Sequence, residues 1–263
     1  HIRIMAPHYG ISVIIATDHC SMENLPWLEK MLEIDKAEHE KTGEALWSGH
    51  MADLSASPIN EALPIYKDLL KRHADLGMIL EFELGETGGE EDGVHGTASY
   101  TSAEECSKVY GELIQISNLF TAALTFGNVH GVYKGNFDLR PDILGNCQEK
   151  IREEHGLTEQ NPMDLVFHGG SGCTPDQMAE ALEHGTIKQN IDTDTQWAFS
   201  KAIVEYVREN EDYLDTQIGN SSDPAAPNKK KYDPRVVLTG AEKAMTARIL
   251  ESYKWLNGLN LLD

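Results

Sequence analysis

The sequence predicts an α/β protein built on a parallel sheet. Short apolar, β-branched segments alternate with longer amphipathic segments along most of the 263 residues, a rhythm that is typical of βαβ units. Residues suited to catalysis also follow the end of each apolar segment, as expected for parallel strands whose ends build one site. Such units form either an open doubly wound sheet or an eight-stranded barrel.

Six apolar segments are predicted to be buried strands, namely Ser12–Thr17, Leu46–Met51, Met78–Leu84, Phe120–Phe126, Asp164–His168 and Thr186–Ile191. Six strands are two fewer than a closed barrel needs. Either the sheet is therefore open, or two N-terminal units are absent from this chain.

The predicted helices are marked by their apolar spacing and by their end signals. Over Pro58–Leu76 apolar residues recur at steps of three and four, as on one face of a helix. Ser102–Glu105 and Thr174–Gln177 indicate capping boxes, and Gly185 stands where the second of these helices should end. A long helix around Trp197 and a final helix from about residue 235 to 256 complete the elements. We expect one domain over residues 1–263, with a helical extension from about residue 220.

Charge and cysteine content exclude several classes of partner. The chain carries 22 basic and 43 acidic residues, a net charge of −21, so nucleic acid and anionic membrane surfaces are poor partners. Its four cysteines show no CxxC spacing, which favours reduced thiols and a cytoplasmic protein. No apolar stretch is long enough to span a bilayer, and no signal peptide is visible at the start.

Polar residues follow the end of every predicted strand, and active sites of βα barrels are built at this end. The segments concerned are Asp18-His19, Asp53, Glu83 with Gly85–Gly93, Gly127–Gly131, His168–Gly172 and Asn190–Asp194. Because all six strands show the pattern, an active site explains it better than ordinary polar strand ends do.

Three of these residues are the histidines His19, His130 and His168. Three imidazoles from three strand ends can form an open tetrahedral site suited to zinc, with the fourth position left for substrate or water. Asp53 and Glu83 either supply oxygen ligands to a second metal position or form salt bridges at the rim, and the sequence favours neither. The other eight histidines are interpreted as ordinary core or surface residues.

A phosphate site is predicted beside the histidines. Gly169–Gly172 leads into the helix capped by Thr174, so backbone N–H groups at a helix N-terminus can face an anion. Asn190–Thr193, one βα unit later, also enters a helix. Paired loops after the last two strands form the usual phosphate site of a βα barrel.

Six segments resemble the class II fructose-bisphosphate aldolase family, in family order and near family spacing. They are Thr17–Cys20, Glu81–Gly85 with Gly88–Gly93, Phe126–Lys134, Val166–Gly172, Asn190–Trp197 and Tyr232–Arg235. The stretch Asn228–Arg235 and the long C-terminal region resemble the dimeric subgroup of the family.

The resemblance implies a zinc-dependent (β/α)8 TIM barrel from which the first two βα units are missing here. It implies the reversible cleavage of fructose 1,6-bisphosphate into dihydroxyacetone phosphate and glyceraldehyde 3-phosphate, in glycolysis or gluconeogenesis. It also implies a cytoplasmic homodimer, a second divalent ion and a monovalent cation (Na⁺ or K⁺) near Val129, Gly131 and Gly169.

The resemblance also assigns roles by position in this sequence. The metal ligands are His19, His130 and His168 for the catalytic zinc, with Asp53 and Glu83 for a second metal position. Asp18 is the acid that protonates the aldehyde oxygen when the carbon–carbon bond forms, and Glu91 takes the proton from the ketone triose. Asn190 is both catalytic and substrate-binding, and the other substrate contacts are Gly131, Gly169, Gly170, Ser171, Asp192, Thr193 and Arg235, the last reaching the second phosphate across the dimer.

This chain lacks about two βα units that the family carries before Tyr9, so we expect the chain alone to be unstable or inactive. Three alternatives stay open. A tagatose-bisphosphate or other sugar-phosphate aldolase would have nearly the same site. An inactive or purely structural relative would fit the missing units but not the intact histidines. A generic zinc hydrolase would not need the phosphate loops.

Overall fold

The computed structural model describes residues 1–91, 94–96, 99–131 and 139–260, and over residues 90, 91 and 94–96 it describes the backbone alone. The chain divides into two compact units, the first comprising residues 1–190 and the second the residues from 191 onward. The expectation of one domain over residues 1–263 stays a prediction beside this division.

Eight strands lie in the described part of the first unit. They are β1 (Gly49–Ala52), β2 (Ile79–Leu84), β3 (Gly88–Glu91), β4 (Val94–Gly96), β5 (Phe120–Leu124), β6 (Val129–His130), β7 (Leu165–Phe167) and β8 (Thr186–Gln189). Five of them form the main sheet in the order β1-β2-β5-β7-β8, and every neighbouring pair is parallel. The predicted parallel sheet is confirmed, and the C-terminal ends of its strands meet at one edge.

Six helices accompany these strands. They are α1 (Ile2–Tyr9), α2 (Leu25–Thr42), α3 (Ile59–Ala74), α4 (Ala103–Leu113), α5 (Asp142–His155) and α6 (Pro175–Glu183). Thr174 and Gln177 form a full capping box at α6, as predicted. Ser102 caps α4 by accepting a hydrogen bond from the Glu105 backbone N–H at 3.2 Å.

The prediction of a strand over Ser12–Thr17 is wrong. This segment makes a single parallel bridge, between Ala16 and Gly49. Ile14 is 77% exposed and Val13 is 38% exposed, so the apolar run that suggested a buried strand is not buried. Among the described residues this segment has a neighbouring strand, β1, on one side only. A strand paired along one edge loses half of its ladder hydrogen bonds.

The predicted strand Leu46–Met51 begins three residues later than expected, at Gly49. The cause is a buried carboxylate on α2, because Asp35 Oδ1 accepts hydrogen bonds from the backbone N–H groups of Leu46 and Trp47 at 2.9 and 3.0 Å. These two N–H groups are thereby withdrawn from the sheet ladder.

A second sheet of three strands has the order β4-β3-β6, and its strand β3 lies within the glycine-rich acidic stretch Gly85–Gly93. Gly88 and Gly89 pair in parallel with Val129 and His130. At Gly89, where φ is +94°, a Cβ atom would collide with the His130 carbonyl oxygen. Glycine is therefore required for this pairing, and the pairing holds the backbone at His130 beside β3.

The second unit is helical. It contains α7 (Thr193–Glu209), α8 (Glu211–Leu214), α9 (Lys229–Tyr232) and α10 (Pro234–Trp255). The Arg248 guanidinium on α10 donates to Asp194 on α7 at 2.7 Å, and these two helices pack together. The predicted final helix agrees with α10 to within a residue at each end. No described helix of either unit combines the length and the apolar character needed to cross a membrane.

Acid is expected to destabilise the fold through a buried histidine, His73 on α3. Burial, with His50 and Arg72 nearby, lowers the pKa of His73 to about 4 from 6.5, although its hydrogen bond to the Leu69 carbonyl and the charge of Asp35 oppose the shift. Since the folded chain holds this proton less readily than the unfolded chain, the stabilisation is complete above pH 6.5 and is lost as the pH falls toward 4.

Urea unfolding of wild type and His73→Leu checks this expectation. The difference in unfolding free energy between the two proteins should change by about 2 kcal/mol between about pH 7 and about pH 4.5. His8→Leu on the exposed face of α1 serves as the control and should follow wild type. Parallel curves for wild type and His73→Leu would contradict the assignment.

Among the described residues the β8 edge of the main sheet has no pairing strand, and the β1 edge is covered only by the segment from Ile15 to Cys20. A cavity of about 260 Å³ lies between them, lined by Ile14 and Ala16 on one side and by Ile187 and Lys188 on the other. Ile187 on the last strand is 60% exposed. Open edges and exposed apolar side chains are costly.

We expect the isolated chain of 263 residues to cleave no measurable sugar phosphate. We define the extended version as this chain with two βα units of the resembled family added before His1, and we expect it to be active because added units can pair with the edges of the sheet. A coupled cleavage assay on both proteins tests this, and a measurable rate from the isolated chain would contradict it.

Candidate metal centre

Three imidazole rings lie together where the strands of the first unit end. His168 directly follows β7, His130 is the last residue of β6, and His19 lies in the segment that runs beside β1. The ring centre of His19 lies 4.7 Å from that of His168 and 4.9 Å from that of His130, and the remaining pair is 5.7 Å apart. The structure therefore brings the three predicted histidines together.

Glu83 on β2 joins this group. One ligand atom from each of His19, Glu83, His130 and His168 can be chosen so that all four lie within 4.8 Å of one another. Imidazole nitrogen and carboxylate oxygen are donors that zinc binds. Among the described residues a second such group consists of Asp18, Glu81 and His168.

The buried atoms of this centre fit a metal ion. His168 Nδ1 and Glu83 Oε2 face each other at 3.4 Å, and neither has a hydrogen-bond partner among the described residues. The other oxygen of Glu83 accepts from the Thr87 backbone N–H at 2.9 Å, which holds the carboxylate in place. Buried polar atoms without partners are costly, and a divalent ion between these two donors would satisfy both.

Two of the histidines have a carboxylate oxygen within hydrogen-bond distance of one ring nitrogen. His168 Nε2 lies 2.9 Å from Glu81 Oε1, and the other oxygen of Glu81 accepts from Lys188 Nζ at 2.7 Å. His19 Nδ1 lies 2.9 Å from Asp53 Oδ2. Carboxylates in contact with metal-binding histidines fix the ring orientation and increase its basicity.

The charges of this centre favour cations. Burial alone would lower the pKa of His168, but its hydrogen bond to Glu81 and the negative charges of Glu83 and Glu81 raise it to about 10. Burial would likewise lower the pKa of His19, but the hydrogen bond between His19 and Asp53 opposes this, and the pKa of His19 is raised. The surrounding carboxylates therefore stabilise positive charge at this point, and a divalent ion supplies such charge in place of protons.

Asp53 and Glu83, the two predicted ligands of a second metal, occupy different places. Glu83 belongs to the group around the histidines, whereas Asp53 hydrogen-bonds His19 and also accepts from the Ser55 hydroxyl at 2.5 Å. The hydrogen bond to His19 lowers the pKa of Asp53 although burial opposes it. A second metal position at these residues stays a prediction.

Glu81 and Lys188 also belong to this centre; the sequence places Lys188 near the site without giving it a role, and it assigns no role to Glu81. Glu81 stands two positions before Glu83 on the same strand, and residues two apart in a strand point to the same face. That spacing could have identified it. Lys188 is 107 positions away in the chain, and only the parallel pairing of β7 with β8 brings it near.

The glycine-rich turn after β7 holds the predicted phosphate-binding residues of the first unit. Gly169 has a φ of +68°, and a Cβ atom there would collide with the Val129 carbonyl oxygen. The Gly170 backbone N–H donates to the Asn190 carbonyl at 3.0 Å, which joins this turn to the segment after β8. Ser171 is buried in the same turn, and Gly131 directly follows His130.

Four further predicted residues either have a side chain outside the described part of the chain or belong to the second unit. The side chain of Glu91, the last residue of β3, lies outside the described part of the chain. Asp192 caps α7 of the second unit and Thr193 is its first residue. Arg235, at the start of α10, pairs with Asp233 at 3.0 Å and is 86% exposed. The roles of these four residues stay predictions.

The comparisons with known proteins agree on one family. The Fructose-bisphosphate aldolase class-II family model matches residues 1–260. The fructose-bisphosphate aldolase class 2 of Escherichia coli (strain K12) is 44% identical over 268 residues, which cover 100% of this chain and 74% of the relative. The fructose-bisphosphate aldolase of Borreliella burgdorferi is 44% identical and covers 99% of this chain, which spans 74% of the relative.

A solved structure gives the same result. The crystal structure of fructose-bisphosphate aldolase (Fba) from Campylobacter jejuni matches with a TM-score of 0.88 at 42% identity. The match covers 99% of this chain and 75% of that one. Sequence, fold and family model thus lead to the same assignment, and this chain belongs to the class II fructose-bisphosphate aldolase family.

Proposed function

We propose that this chain carries the metal centre and the phosphate turn of an enzyme that reversibly cleaves fructose 1,6-bisphosphate into dihydroxyacetone phosphate and glyceraldehyde 3-phosphate. The observation that carries the proposal is the convergence of His19, His130, His168 and Glu83 within 4.8 Å, in a chain whose family model covers residues 1–260. The names of its relatives supply the substrate.

The metal centre would hold zinc through His19, His130 and His168. A zinc ion bound there supplies Lewis-acid stabilisation of the negative charge that develops on the substrate when the carbon–carbon bond breaks. Glu81 and Asp53 orient two of the three rings through the hydrogen bonds described above. Lys188 is engaged by Glu81 at 2.7 Å, which argues against a Schiff-base role for this lysine.

Two carboxylates are assigned the proton transfers. Asp18 is exposed and can approach Glu81 and His168 within 4.8 Å, so it stands at the solvent side of the metal centre, where an aldehyde oxygen would enter. It would donate a proton to that oxygen in the condensation direction and remove it in cleavage. Glu91 would take the proton from the ketone triose.

The phosphate of the ketone triose would bind at the turn after β7. The proposed contacts are Gly169, Gly170 and Ser171 together with the start of α6, since a helix N-terminus favours an anion, and the Gly170 N–H joins Asn190 to this turn. Gly131, Asp192 and Thr193 would complete the contacts. In a chain with a net charge of −21, such local donors are needed to attract an anionic substrate.

The wider context follows from the family. We propose a cytoplasmic homodimer in which Arg235 reaches the second phosphate across the dimer, with glycolysis or gluconeogenesis as the setting. A second divalent ion would use Asp53 and Glu83, and a monovalent cation would bind near Val129, Gly131 and Gly169. The acidity of the chain argues against nucleic acid or anionic membranes as partners.

A chelation experiment on the extended version tests the proposed function. A chelator should abolish cleavage of fructose 1,6-bisphosphate, and added Zn²⁺ should restore it. Borohydride with substrate present should leave the activity intact, because no lysine imine is formed. Loss of activity to borohydride, or full activity in chelator, would contradict the proposal.

A further inference from the structure

A buried polar chain connects helix α2 to the segment that carries Asp18 and His19. It consists of Asp35 on α2, His50 on β1 and Thr17. His50 Nε2 lies 2.9 Å from Asp35 Oδ2, and His50 Nδ1 lies 3.1 Å from the Thr17 hydroxyl. Asp35 and His50 are almost completely buried.

The hydrogen bonds that link these three residues all point in the same direction. Asp35 already accepts two backbone N–H groups on its other oxygen, so it acts as an acceptor and His50 donates to it from Nε2. Burial lowers the pKa of His50, although its hydrogen bond to Asp35 opposes this, so the ring is neutral at neutral pH. The Nδ1 atom of a neutral ring protonated on Nε2 is an acceptor, and the Thr17 hydroxyl donates to it.

The hydrogen-bonded chain of Asp35, His50 and Thr17 acts on a segment that few backbone hydrogen bonds attach to the sheet. The segment from Ile15 to Cys20 runs beside β1 with one backbone bridge, and backbone hydrogen bonds hold its two ends. The Ser48 N–H donates to the Ile15 carbonyl at 2.7 Å, and the Asp53 N–H donates to the Cys20 carbonyl at 2.9 Å. Between these bonds, the Met51 N–H approaches the Thr17 hydroxyl rather than a carbonyl, at 3.4 Å.

We propose that Thr17, His50 and Asp35 are positioning residues, which fix the backbone at Thr17 so that the next two side chains, Asp18 and His19, are held at the metal centre. Only these two residues lie between the attachment at Thr17 and the one at Cys20. A side chain held on both sides in this way loses little freedom when a ligand binds. The inference rests on the metal centre proposed above.

Titration of the protein with Co²⁺ tests the inference, since the visible absorption of bound Co²⁺ reports the ligand geometry. Thr17→Val removes the hydroxyl while keeping the shape of the side chain, and Thr17→Ser keeps the hydroxyl. Thr17→Val should weaken Co²⁺ binding about ten-fold and alter the spectrum, and Thr17→Ser should restore both.

Ser48→Ala is the matched control. The Ser48 hydroxyl accepts from the Ile15 N–H at 3.1 Å, so it holds the same segment at its far end. This variant should lower the urea midpoint and leave Co²⁺ affinity within about two-fold of wild type. Where Thr17→Val does not fold, His50→Gln takes its place, because the glutamine amide nitrogen can take the position of Nε2 and donate to Asp35, whereas glutamine has no atom at the position of Nδ1 that faces Thr17.

The outcomes separate this inference from the metal centre itself. Unchanged Co²⁺ affinity in Thr17→Val and His50→Gln, equal losses in Thr17→Val and Ser48→Ala, or no rescue by Thr17→Ser would overturn the positioning role while leaving the centre in place. A wild-type chain that binds no Co²⁺ would overturn the centre and this inference with it.

Discussion

Replacing His130 with alanine is expected to abolish metal retention by this chain and aldol cleavage by the extended version. His130 is one of three imidazoles whose ring centres lie within 5.7 Å of one another, and a catalytic zinc site depends on three protein ligands. Losing the Lewis acid removes several kcal/mol of transition-state stabilisation, which is a rate loss of about 1,000-fold or more.

The control for this variant is His8→Ala, on the exposed side of α1. It should retain zinc and cleave at the wild-type rate. Zinc content after dialysis and the rate of triose phosphate release are the two readouts. Activity that survives in His130→Ala would remove this histidine from the ligand set.

Replacing Asp18 with asparagine should separate proton transfer from metal binding. Asp18 can approach the centre at His168 without belonging to the group of four ligands, and asparagine has nearly the same shape but donates no proton. Because a positioned general acid or base contributes about 100- to 10,000-fold, cleavage by the extended version should fall by about that factor. Zinc content should stay at the wild-type level.

The matched control is Asp68→Asn, on the exposed side of α3, where the carboxylate pairs only with Arg72 at 3.3 Å in the same helix. It should be fully active, since exposed pairs of this kind contribute little. If Asp18→Asn lost its zinc together with its activity, Asp18 would act as a ligand rather than as the acid. Wild-type activity in this variant would end its catalytic assignment.

Most strands of the main sheet could be predicted from their apolar runs, because strands buried on both faces are continuously apolar. The segment Ser12–Thr17 has the same composition but only one neighbour, and composition does not report the number of neighbours. The late start of β1 depends on Asp35, a helical residue that no local pattern connects with Leu46. The sheet around Gly89 was missed because glycine has a low strand propensity.

The site was more predictable than the details of the fold. His19, His130 and His168 follow strand ends, and parallel strands bring such ends together whatever the loops between them. Glu81 lies in one of the segments that resemble the family, but the resemblance gave it no role, and no local pattern connects Lys188, Asp35 or His50 with the histidines. Roles that depend on the side chain of Glu91 or on residues of the second unit stay predictions that rest on the family resemblance.

Zinc content measures the central claim most directly. The purified chain, stripped with chelator, loaded with Zn²⁺ and dialysed, should retain about one zinc per chain with micromolar or better affinity, and His130→Ala should retain none. A folded wild-type chain that retains no zinc would contradict the convergence of three imidazoles on one metal ion, and with it the proposed chemistry.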